Sequence, residues 1–143
     1  MKTYNHILLA IDLHPSCDGP AVARATEIAK EFGAKLSVIH AIEHLNAYGV
    51  AQAYPTVVDL EQQMLKEAAE EMAKWGKRFQ IPLENQYVKI GSPKMAILDM
   101  ANTLHADLVV VGSHGRHGIS LLLGSTANAV LHHAACDVLA VRV

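Results

Sequence analysis

The residue types best placed to do chemistry lie between positions 112 and 126. Gly112 and Gly115 frame a short loop, and Gly124 stands directly before Ser125 and Thr126. Glycines let an anion approach the main chain, and hydroxyls donate to its oxygens. The first N–H groups of a helix have no internal partner and carry the positive end of its dipole. The spacing therefore predicts a phosphate cradle and, with it, a nucleotide-binding module. Arg116 is equally suited to pairing with a γ-phosphate or to lying in water. The loop has no Gly-Lys-Ser/Thr, which excludes a P-loop, and Ile11-Asp12-Leu13-His14 lacks the glycines of a dinucleotide fingerprint. His114 and His117, with His14, offer metal-type spacing but no cysteine or convincing third ligand, so no protein-held metal is expected.

The elements needed to position these residues can be read from the pattern. Leu108 to Val111 is an apolar, β-branched run, as expected of a buried strand that ends at the glycine loop. A first strand is expected over His6 to Ile11, a second over Lys35 to Ile42, a weaker one over Asn85 to Ile90, and a terminal one over Val138 to Val143. Asp18-Gly19-Pro20 should open a helix whose apolar face carries Ala21, Val22, Ala25, Ile28, Ala29 and Phe32, with Gly33 as its stop. Thr56 and Asp59 suit the start of a longer helix with Leu60, Met64, Ala68, Met72, Trp75 and Phe79 on one face. Glu67, Glu70, Glu71, Lys74 and Lys77 read as its solvated side. Ser92 and Pro93 suit the N-cap and first position of a third helix, and a fourth should run from about Ser125 to Ala134, with Ser125 and Thr126 as its capping residues. Asn46 to Tyr54 has no period and reads as a mobile surface loop and a candidate lid.

Strand and helix alternate throughout, which predicts one domain over residues 1–143. The fold class is α/β, an open five-stranded parallel sheet with helices on both faces. With strand order 3-2-1-4-5, the order reverses between strands one and four. That brings Ile11 and Asp12 to the loop from Gly112 to Gly115, with His40 and Ala41 closing one side. Asp12 alone would read as a turn cap; beside the glycine loop it reads as a ligand contact.

Bulk properties narrow the function classes. Hydrophobic residues make up 51% of the 143, as in a packed globule, and a net charge of −2 gives no electrostatic case for nucleic acid or an anionic membrane. Two cysteines without metal spacing suit a reducing cytoplasm, and neither a signal peptide nor a membrane-length apolar stretch is expected.

The chain as a whole resembles the ATP-binding branch of the universal stress proteins. That family's signature is Gly, two residues, Gly, nine residues, then Gly followed by Ser or Thr. Here it is Gly112-Ser-His-Gly115, eight residues, then Gly124-Ser125, one residue shorter. The resemblance implies a Rossmann-like fold of the adenine nucleotide alpha hydrolase type. It places Ile11 and Asp12 on the adenine side, Ala41 against the base through its main chain, and Val111 and Gly112 at base and ribose. His114, Gly115, Gly124, Ser125 and Thr126 would follow the ribose-phosphate path. It also implies that residues 138–143 form an edge strand pairing two subunits as a homodimer.

The expected ligand is ATP, or ADP or AMP, with Mg2+ carried by the phosphates. Hydrolysis requires charge stabilisation and an oriented water, and the loop holds no carboxylate. The expectation is a nucleotide-dependent regulator in the stress response, with weak ATP hydrolysis at most and no assigned catalytic residue. The alternatives are a slow ATPase or nucleotidyl-transfer enzyme, and a dimeric interaction protein that binds no nucleotide.

Overall fold

The computed structural model describes residues 3–13, 15–44, 56–113 and 124–142. The loop from Asn46 to Tyr54, expected to act as a lid, lies outside them. The strands are β1 (His6–Ala10), β2 (Lys35–Ile42), β3 (Gln86–Ile90), β4 (Leu108–Gly112) and β5 (Asp137–Val141). The helices are α1 (Pro15–Phe32), α2 (Thr56–Phe79), α3 (Pro93–Thr103) and α4 (Ser125–His133). All neighbouring strands pair in parallel, in the order β3-β2-β1-β4-β5. This is the expected doubly wound sheet, with the reversal between β1 and β4.

Alternation along the strands sends side chains to two cores. Ile7, Leu9, Val38 and Val110 meet α1 and α2 through Val22, Ala25, Met72 and Trp75. Leu8, Ile39, Val109 and Val111 meet α3 and α4 through Ile97, Met100, Ala127 and Val130. Both faces are thus covered, which is why β1 and β4 read as nearly continuous apolar runs.

Three helices close alike at the amino end of the sheet. Gly33 has φ 63°; its N–H donates to Lys30 O and that of Ala34 to Ala29 O, the paired bonds of a Schellman motif. Gln80 and His105 occupy the corresponding left-handed positions after α2 and α3, with φ 61° and 53°. Glycine is also required at Gly76 inside α2, where a Cβ would collide with the Gln86 side chain and the Ile81 carbonyl.

Four details differ from the sequence expectation. Helix α1 begins at Pro15, so Pro20 is an interior residue. Asp18 does not open the helix; its buried carboxylate accepts the Asp12 N–H at 2.9 Å, tying the turn after β1 to the first turn of α1. Leu60 is 51% exposed and stands outside the core, whose buried α2 residues are Met72 and Trp75. The N-cap of α4 is Gly124, with Ser125 and Thr126 inside the first turn. Ser92 and Pro93 stand where expected at the start of α3, although the Ser92 side chain makes no capping bond.

Candidate functional site

The carboxyl ends of β1, β2 and β4 open into a cavity of about 960 Å³, whose other walls come from α2, α3 and α4. The turn after β1 contributes Ile11, Asp12 and Leu13; β2 contributes His40 and Ala41, with Glu43 just beyond it; β4 contributes Val111 and Gly112. The start of α4 faces them with Gly124, Ser125 and Thr126, and α3 adds Pro93 and Ile97.

Physical reasons for this opening can be found in each element. Ile11 extends the ladder by donating its N–H to Ile39 O at 3.0 Å, after which the chain must leave the sheet to enter α1. It does so through Leu13 at φ 61°, a left-handed conformation that costs a non-glycine residue about 1–2 kcal/mol. Unlike Gln80 and His105, Leu13 closes no helix; its strain is spent on turning the chain beside the cavity. The His40 ring crosses to β1, where Nδ1 donates to Ile11 O at 2.8 Å. A carbonyl only accepts, so Nδ1 carries the proton.

At α4 the important feature is a missing side chain. Gly124 has φ −56° and ψ 152°, a conformation open to any residue, so the backbone does not demand glycine. What glycine achieves is the absence of a cap: the Asn128 N–H is the first to bond back, to Gly124 O at 2.9 Å. The N–H groups of Ser125, Thr126 and Ala127 therefore have no intrahelical acceptor.

Eight of the residues expected from sequence thus line one cavity: Ile11, Asp12, Ala41, Val111, Gly112, Gly124, Ser125 and Thr126. His114, Gly115 and Arg116 lie outside the described residues. Sequence reasoning missed the α2 wall, where Met64, Glu67, Ala68 and Glu71 face the cavity. Their spacing is that of one helical stripe, and the two glutamates, solvated as their charge predicts, also border the cavity: Glu67 is exposed and Glu71 pairs with Lys74 at 3.5 Å. Among the described residues, no group of three or more histidine, cysteine or acidic side chains could hold a metal ion.

The geometry can be set beside known proteins. A family model described as the universal stress protein family matches residues 3–142. The chain belongs to the universal stress protein family. Universal stress protein A homolog 2 of Coxiella burnetii is 48% identical over 143 residues, covering 100% of this chain and 98% of its own. The structure of universal stress protein UspA from Lactobacillus plantarum superposes with a TM-score of 0.82 at 26% identity, covering 99% of this chain and 100% of that one. A universal stress protein crystallised in complex with cAMP superposes with a TM-score of 0.64 at 28% identity, covering 99% and 98% of the two chains. Among the described residues, no helix is long and apolar enough to cross a membrane.

Proposed function

We propose that this universal stress protein binds an adenine nucleotide, ATP or its ADP and AMP relatives, in the cavity at the carboxyl end of the sheet. Occupancy would change its contacts with partners in the cytoplasmic stress response. The observation that carries this reading is the uncapped start of α4 at the reversal of strand order, facing a cavity of ligand size. The relative crystallised with cAMP supports the same ligand class.

The residues present fit the ligand. The first-turn N–H groups of α4 and the Ser125 and Thr126 hydroxyls suit phosphate oxygens. Ile97, Val111 and Met64 give the apolar walls a purine ring requires. Glu43, Glu67 and Glu71 line the wall formed by β2 and α2, where they disfavour phosphate and so orient the anionic tail towards α4. In this reading Mg2+ arrives on the phosphates. His114, Gly115 and Arg116 would complete the cradle from the loop after β4, and activity beyond weak hydrolysis is not expected of it.

The decisive experiment denatures the purified protein and identifies the released small molecule by mass spectrometry, followed by calorimetric titration with ATP and magnesium. An adenine nucleotide released at near-stoichiometric yield, or saturable ATP binding, is expected. Neither result appearing would sink the reading.

The same reading includes a homodimer through β5, whose outer edge is unpaired among the described residues. The Val141 carbonyl accepts the Ser113 N–H at 2.8 Å, so by alternation Val138 and Ala140 turn their backbone groups away from β4. Ala140→Pro removes one outward N–H and no ladder bond, and should shift sedimentation from dimer to monomer. An unchanged sedimentation coefficient would discard β5 as the contact edge.

A further inference from the structure

We infer that His40 is a base-reading residue, whose Nε2 accepts a hydrogen bond from an exocyclic amine on the bound purine. This deepens the nucleotide reading above and rests on it. Three observations carry it. The Nδ1–H is committed to Ile11 O at 2.8 Å, which fixes the tautomer and leaves Nε2 of the neutral ring as an acceptor. Among the described residues nothing bonds to Nε2, and it is not one of the sealed, unpartnered atoms, so a ligand can reach it. The residue lines the cavity on its β2 side, away from the helix start that attracts the phosphates.

The chemistry of that wall selects the ligand edge. His40 Nε2 and the carboxylates of Glu43, Glu67 and Glu71 are all acceptors. A 6-aminopurine presents a donor to them, whereas a 6-oxopurine presents a second acceptor and leaves both unsatisfied. Because Nδ1 is held by the backbone of β1, the ring cannot turn over to offer a donor without breaking that bond. The discrimination is built into the sheet.

The test exploits the two ring nitrogens separately. His40→Asn places an amide N–H near the Nδ1 position, retaining the bond to Ile11 O while deleting Nε2. His40→Gln extends an amide oxygen towards the Nε2 position. Calorimetry compares ATP with purine riboside triphosphate, which lacks the 6-amino group, and with ITP. The wild-type protein should prefer ATP to the deaminated analogue by about tenfold, the scale of one hydrogen bond. His40→Asn should unfold at the wild-type temperature, bind the analogue unchanged and lose the preference by weakening ATP alone. His40→Gln should recover part of it. Equal wild-type binding of ATP and the analogue overturns the role of His40 while leaving nucleotide binding intact. So does a His40→Asn loss shared equally by both ligands, the mark of a purely structural residue. No binding of any of the three triphosphates overturns both readings.

Discussion

His6 and His40 lie at opposite ends of the sheet. At the amino end, His6 Nδ1 donates to Leu104 O at 3.2 Å and Nε2 accepts from the fully buried Ser37 hydroxyl at 2.7 Å. At the carboxyl end, His40 uses Nδ1 in the same way and has no partner for Nε2 among the described residues. The contrast extends to the surroundings. At the amino end the Asp107 carboxylate accepts the N–H groups of Asn5 and His6 at 2.8 and 3.1 Å, and three helices finish in closed C-terminal motifs. At the carboxyl end a helix starts without a cap and a leucine is held in a left-handed turn. Among the described residues the amino end leaves one buried atom, Asn85 Oδ1, without a partner, whereas the carboxyl end gathers its unspent hydrogen-bonding capacity around one cavity. Unspent capacity, more than residue type, marks where a ligand belongs.

The largest effect expected from breaking this contrast is at Gly124. Gly124→Asp supplies the absent cap and puts a fixed negative charge where the phosphate would sit. It should stabilise α4 by about 0.5–1 kcal/mol, read as a higher melting temperature. ATP affinity should fall by roughly 100-fold or more, equivalent to about 2.7 kcal/mol. A variant that is more stable and still binds ATP would place the anion elsewhere.

Next in size is Asp18→Ala, which leaves the Asp12 N–H without its acceptor beside the cavity. The cost should be about 1–3 kcal/mol, seen as a drop in chemical-denaturation midpoint, with weaker ATP binding as the β1 turn loosens. Ser37→Ala makes the matching cut at the amino end. It should cost about 1 kcal/mol and leave ATP affinity unchanged, because nothing it touches reaches the cavity. Equal effects of the two substitutions on binding would erase the distinction between the ends.

The smallest effect concerns pH. Burial, and secondarily the Lys35 charge, hold the His6 pKa below its ordinary value. The unfolded chain therefore takes up this proton first as pH falls. The contribution of His6 to stability is complete above about pH 6.5 and declines below it, down to the lowered folded-state value. The melting temperature of the wild-type protein should fall more between pH 7.5 and 5.5 than that of His6→Asn. Parallel curves would remove His6 as the cause.

Much of this architecture was legible in the residues. The Leu108–Val111 run, the apolar stripe of α1 and the alternation of elements required a parallel sheet, and the order of strands brought Asp12 to Gly112. What escaped was decided by tertiary contacts that local pattern does not encode. Pro20 reads as a helix start, yet α1 begins at Pro15 and the buried Asp18 carboxylate of its first turn holds the Asp12 N–H. Ser125 reads as a cap by propensity, but the chain bends into α4 one residue earlier. Glu67 and Glu71 are solvated as they read, but nothing in a single helix reveals that they also border a cavity. The partner of His40 Nδ1 is a carbonyl 29 positions away, set by the β1–β2 register.

The uncapped beginning of α4 bears on how the protein responds to its surroundings. A helix end with unpaired donors is the turn most prone to fray, so its amide hydrogens should exchange fastest when no anion is bound and be the first slowed by one. An anion seated there acts as an exchangeable cap, stabilising the fold by about 2.7 kcal/mol at a concentration 100 times its dissociation constant. The cellular supply of that anion would then be registered as the lifetime of the protein against proteolysis.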